Sequence, residues 1–242
     1  MAHFQIDTVL KAVARKVKFD VVIPTLNLQE SLSNKDDNYY SNLNTKYPLA
    51  IFLHGFGDDE KGWQNNSQII KLCEENKVAA VFINGENKWY LNMGPIDDFY
   101  NLIERDILDF LYGNFKCLDR SMPLAVCGVS MGGYGALYHY LKNSSKYYCA
   151  VSLSPATKPD YMDEKYSLKN IVLAHKGEKL NVYLSVGEDD FIINASKELD
   201  KYFADNQIDI SYRYVSGNHS WTTWSSEVFN VFEYFKKIKF IR

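Results

Sequence analysis

The sequence predicts an α/β fold with a mostly parallel central sheet of about eight strands and helices on both faces. Three observations carry this prediction. Short apolar runs alternate with helix-like segments along the whole chain. The runs LAIFL (49–53), VAAVFI (78–83) and LAVCGV (124–129) are apolar throughout, as expected of strands covered on both faces. The 242 residues show no repeat, low-complexity tract or linker, which suits one domain over 1–242.

The elements follow in order. Apolar runs at 4–10 and 17–23 open the chain, and Pro24, which cannot donate to a ladder, should end the second. Residues 29–47 (QESLSNKDDNYYSNLNTKY) read as a solvated polar loop. After the strand at 49–53 comes a Gly-rich turn, then helical spacing over 67–76 and a buried strand at 78–83. Leu102, Ile103, Ile107, Phe110 and Leu111 make 99–112 an amphipathic helix by its 3.6-residue period. A strand at 124–129 precedes a small-residue helix at 131–141, and a further strand covers 148–153. The polar stretch 154–179 reads as a short cap region. A strand at 181–186, a helix at 195–206, a strand at 208–215 and a final helix at 221–237 complete the chain.

Composition narrows the function classes. A chain with 46% hydrophobic and 24% charged residues has ordinary globular usage. At this length it buries about 70% of its unfolded surface without staples. The net charge of −3, from 27 basic and 30 acidic residues, argues against a nucleic-acid partner. Aromatic residues, at 15%, are expected at sheet faces and pocket walls. Cys73, Cys117, Cys127 and Cys149 form no C-x-x-C pair, so no metal site is expected. The first twenty residues carry charge throughout and hold no unbroken apolar stretch. Neither a secretory signal nor a membrane span is expected, and the sequence reads as cytoplasmic. A homo-oligomer would leave no signature here.

Gly128-Val129-Ser130-Met131-Gly132 has G-x-S-x-G spacing between a predicted strand and a predicted helix. Serine on such a strained turn stands exposed at the carboxyl edge of the sheet, beside a helix N-terminus that favours a developing oxyanion. Ser130 is therefore the candidate nucleophile. His54-Gly55-Phe56-Gly57 follows the 49–53 strand, and glycines at 55 and 57 let the Phe56 N–H turn inward. The N–H groups of Phe56 and Met131 are the candidate oxyanion donors. His54 is expected to be structural, hydrogen-bonded within its loop.

The base should follow the nucleophile in the chain. His139 lies two turns into the following helix and points away; His175 sits in a polar stretch beside lysine. His219, in the short loop Ser216-Gly217-Asn218-His219-Ser220 between the last strand and the last helix, is the candidate base. The acid should follow the 181–186 strand, where Gly187-Glu188-Asp189-Asp190-Phe191 offers three carboxylates. Spacing alone does not separate Asp189 from Asp190. Trp63, Trp89, Tyr90, Trp221 and Trp224 fall in or near loops at the same edge, and two or three are expected to line a pocket. Trp224 lies on the inward face of the last helix.

HGFG, GVSMGGYGA, GEDDF and SGNHSWTTW resemble the tributyrin-esterase and feruloyl-esterase group of α/β-hydrolases, close to S-formylglutathione hydrolases. The likeness runs from about Lys16 to the end, and the serine elbow and the His-x-Trp-x-x-Trp segment are its most specific parts. In that group the acid stands fourth in a Gly-x-x-Asp-Phe turn, which implies Asp190. The resemblance implies a serine carboxylesterase acting on small-molecule esters with short acyl chains, without metal or organic cofactor. Two alternatives remain on the same fold: a thioesterase or S-formylglutathione-type hydrolase, and an inactive binding protein. The long polar loop and short cap depart from the group and predict a more open site.

Overall fold

Eight runs of extended backbone pair into one sheet in a computed structural model that describes residues 1–33, 44–159 and 162–241. They are β1 (Ala2–Leu10), β2 (Arg15–Ile23), β3 (Leu49–Leu53), β4 (Ala79–Ile83), β5 (Leu124–Val129), β6 (Cys149–Leu153), β7 (Lys179–Gly187) and β8 (Asp209–Val215). Their order across the sheet is β1-β2-β4-β3-β5-β6-β7-β8. From β4 to β8 every neighbouring pair is parallel. The β1–β2 and β2–β4 pairs are antiparallel. Residues 11–14, which join β1 to β2, are too few for the crossover that a parallel pair needs, so the chain turns back as a hairpin.

Side-chain alternation divides the central strands between two cores. Leu49, Ile51 and Leu53 face one core, with Val81, Ile83 and Val126. Ala50 and Phe52 face the other, with Phe82, Cys127 and Val151. All five residues of β3 are buried, which is why its run carries no polar residue. The first core is covered by α6 (Met131–Lys142), α7 (Leu168–Val172) and α8 (Ile193–Asp205), together with the helical stretch from Phe99 to Asn114. The second is covered by α2 (Gly62–Asn66), α3 (Ile69–Glu75) and α9 (Trp221–Lys237). Among the described residues, no helix is long and apolar enough to cross a membrane.

Three elements differ from the sequence expectation. The stretch read as a polar loop over 29–47 begins with α1 (Leu28–Ser33). Asn27 Oδ1 accepts from the Glu30 N–H, and a Glu30 carboxylate oxygen accepts from the Asn27 N–H, a reciprocal cap that needs no apolar face. Residues 34–43 of that loop lie outside the described residues. The cap region contains α7, whose Leu168 and Val172 are fully buried, so it packs on the core as well as meeting solvent. The helix expected over 99–112 is interrupted. It runs as α4 (Phe99–Asn101), a π-helical turn over Leu102–Ile107 and α5 (Leu108–Asn114), and the wide turn carries Glu104 into a cluster of polar side chains.

Candidate functional site

Ser130 joins β5 to α6 with φ 54° and ψ −115°, a conformation that L residues adopt only where the surroundings enforce it. Two glycines permit it. A Cβ on Gly128 would overlap the Gly132 carbonyl, and one on Gly132 would overlap the Leu53 carbonyl of β3. Gly132→Ala is expected to lower stability in urea by about 3 kcal/mol, because the added methyl meets backbone that cannot rotate away. An unchanged unfolding midpoint would show that β3 yields freely.

The elbow points the serine at the loop following β8. His219 Nε2 lies 2.9 Å from Ser130 Oγ. His219 Nδ1 lies 2.9 and 3.0 Å from the two carboxylate oxygens of Asp190, which follows β7. Asp190 is buried, whereas Glu188 and Asp189 are exposed. Burial pushes the Asp190 pKa up, but hydrogen bonds from His219, the Ile192 N–H and the Ser154 hydroxyl outweigh it and hold the carboxyl below its usual range. An ionised carboxylate only accepts, so Nδ1 carries the hydrogen in the neutral ring. Nε2 then presents its lone pair to the Ser130 hydroxyl.

Neighbouring rings fix the imidazole. Phe191 lies 4.5 Å from its centroid and is 78% exposed, while Trp224 meets it edge-on at 5.0 Å. Trp224 Nε1 donates to Ser154 Oγ at 3.0 Å. Ser154 thus links the last helix to Asp190. It is an isolated serine just beyond β6, and no spacing marks it in the sequence.

The loop after β3 passes beside Ser130, and a Cβ on Gly55 would lie 3.4 Å from the Ser130 Cβ. The Phe56 ring points outward and is 66% exposed. Gly57 donates to Asn87 Oδ1 and Asp58 donates to the Gly55 carbonyl, but the Phe56 N–H has no partner among the described residues. Met131 opens α6, so its N–H has no intrahelical acceptor. His54 is buried and bonded within this region: the Gly85 N–H donates to Nε2 at 2.8 Å, and Nδ1 lies 2.7 Å from the Gly55 carbonyl. Burial holds its pKa low, leaving a neutral ring with the hydrogen on Nδ1. His139 and His175 are buried in other contacts, with Glu104 and Tyr90 and with Glu178 and Leu141.

The expected pocket aromatics separate. Trp63 is buried in the core, where its Nε1 donates to the Leu53 carbonyl at 3.0 Å, and its ring is closed to solvent. Tyr90 is 0% exposed and equally closed to solvent. Both fall beside turns in the sequence, but tertiary packing points their rings inward. Trp89 is half-buried and meets Tyr134 edge-on at 5.6 Å. Trp221 is half-buried, donates to Asp58 at 3.1 Å and packs edge-on against Trp63 and Trp224. It bridges the last helix to the Phe56 loop.

A family model described as "Putative esterase" matches residues 35–235. The chain is 24% identical over 270 residues to an acetyl esterase of Caldicellulosiruptor saccharolyticus, spanning 98% of this chain and 99% of that protein. A fluorophosphonate-binding serine hydrolase of Staphylococcus aureus superposes with TM-score 0.81 at 18% identity, over 96% of this chain and 97% of that one. An S-formylglutathione hydrolase of Staphylococcus aureus superposes with TM-score 0.80 at 18% identity, over 96% and 95%. At these identities the superpositions show the fold alone, and it is the α/β-hydrolase fold.

Proposed function

The chain belongs to this esterase family and acts on carboxylic ester bonds, and on that premise we propose that Ser130, His219 and Asp190 hydrolyse short-acyl esters through an acyl-enzyme. The observation that carries the reading is the unbroken hydrogen-bond path from Ser130 Oγ through His219 to a buried carboxylate. His219 Nε2 removes the hydroxyl proton as Ser130 Oγ attacks the carbonyl carbon. The carbonyl oxygen takes the electron pair, and the N–H groups of Phe56 and Met131 donate to the resulting oxyanion. The tetrahedral adduct collapses, the imidazolium returns its proton to the departing alkoxide, and an alcohol leaves. Water then attacks the acyl-serine by the same route and releases the acid. Similarity to an acetyl esterase supports a small acyl group.

The same geometry would cleave a thioester, and 26% identity over 166 residues to an S-formylglutathione hydrolase of Mus musculus supports that second reading. A fluorophosphonate probe is expected to label the protein once, on the peptide containing Ser130. Labelling elsewhere, or none, would refute the assignment. p-Nitrophenyl acetate and its matched thioacetate, assayed together, separate the two substrate classes by their kcat/KM ratio.

A further inference from the structure

Glu86, Asn87, Trp89 and Tyr90 have φ of 45°, 56°, 54° and 59°, so four of five consecutive positions hold L residues in the left-handed region. Such a run persists only where its neighbours impose it. The segment follows β4 and lies against the loop that carries Phe56. The Gly85 N–H donates to His54 Nε2 (2.8 Å), and the Tyr90 hydroxyl donates to the His54 carbonyl (2.9 Å). Asn87 Oδ1 accepts from the Gly57 N–H (2.7 Å), and Asn84 Nδ2 donates to a Glu60 carboxylate oxygen (2.9 Å). Residues on both sides of Phe56 are therefore held, while its own N–H has no partner among the described residues.

Tyr90 also reaches the helix of the other oxyanion donor. A Cβ on Gly135 of α6 would lie 2.6 Å from Tyr90 Cδ2, and a Cβ on Gly85 would overlap the same ring. The glycine at 135 is needed because the tyrosine ring lies flush on α6. The Tyr90 carbonyl accepts from Nε2 of His139, also on α6, at 2.9 Å. The other nitrogen of His139 lies 2.5 Å from Glu104 Oε1. Glu104 accepts in addition from Lys146 Nζ (2.7 Å) and the Tyr147 hydroxyl (2.6 Å). Burial pushes the Glu104 carboxyl up, but these partners hold it down at about 2, so it stays ionised as an anchor.

One buried residue thus touches both elements that carry these N–H groups: the Phe56 loop through its hydroxyl on the His54 carbonyl, and α6 through its ring on Gly135 and its own backbone carbonyl on His139. We propose that Tyr90 is a positioning residue that sets the distance between the Phe56 and Met131 N–H groups, with Asn87 as the outer half of the same clamp. The proposal rests on the esterase reading above. Oxyanion donors act at about 2.7–3.1 Å from the oxygen, and most strongly on the charge that develops there. A slack clamp therefore weakens the transition state and leaves ground-state binding in place.

Tyr90→Phe removes the hydroxyl and keeps the ring between the two glycines. On p-nitrophenyl acetate kcat is expected to fall about tenfold while KM stays within about twofold. Affinity for phenylboronic acid, which forms a tetrahedral adduct with a nucleophilic serine, should fall by the same factor. Asn87→Ala, at a half-buried position, should move both quantities in the same direction should the tyrosine variant fold poorly. A rise in KM with kcat unchanged overturns the proposal, as does a fall in kcat with boronate affinity intact, which marks general damage. Ser130→Ala runs alongside. If that variant keeps wild-type activity, the esterase site itself is misassigned; if it is inactive and both clamp variants match wild type in kcat and boronate affinity, only the clamp is wrong.

Discussion

Ser130→Ala is expected to lower kcat for p-nitrophenyl acetate about a million-fold, to background, with folding stability changed by less than about 0.5 kcal/mol. The large kinetic effect follows from the chemistry: with Oγ gone there is no atom to form the acyl-enzyme, and His219 has no proton to take. The small stability effect follows from the packing. Among the described residues the Oγ hydrogen-bonds His219 Nε2 alone, and alanine inherits the same backbone strain at φ 54° that serine bears. His219→Ala should cost nearly as much, and the double variant little more, because the two groups act in one step. Progress curves over hours, with thermal unfolding of each variant, measure both quantities. Wild-type activity in Ser130→Ala would remove the serine from the reaction.

Asp190→Asn is expected to lower kcat about ten-thousand-fold while Asp189→Asn stays within about twofold of wild type. The Ile192 N–H donates to Asp190 Oδ1, so an asparagine placed here keeps its carbonyl oxygen on that side. Its amide NH2 then occupies the position of Oδ2, 2.9 Å from His219 Nδ1. A donor at that point moves the ring hydrogen to Nε2, and an Nε2–H cannot accept the serine proton. Asp189 is exposed, so its charge is solvated, and the imidazole hydrogen-bonds the Asp190 carboxylate instead. Equal losses in the two variants would mean that the charge of the whole turn matters and the tautomer does not.

The local parts of this molecule were legible in its sequence. Runs such as LAIFL and LAVCGV show strands buried on both faces because burial on both faces leaves no place for a polar residue. The serine elbow is legible for a similar reason, since the collisions that exclude a Cβ at Gly128 and Gly132 arise within a few residues and one neighbouring strand. The His219 loop was readable from its place between the last strand and the last helix. Choosing Asp190 over Asp189 needed the family resemblance, because two adjacent carboxylates have the same local pattern.

What only the tertiary structure decided depends on contacts between distant segments. Tyr90 and Trp63 sit beside turns, yet their rings are buried because Gly135 and Leu53, from other elements, meet them there. Ser154 is an unremarked serine until Trp224, 70 positions on, donates to it and Asp190 accepts from it. The hairpin at the sheet edge and the cap on α1 came from short connections and polar groups, to which apolar periodicity is blind. Sequence therefore determined where strands run, where the strained serine turn falls and which serine and histidine the fold brings together. Packing determined which way each aromatic ring faces and which carboxylate the imidazole meets, since those depend on residues far apart in the chain.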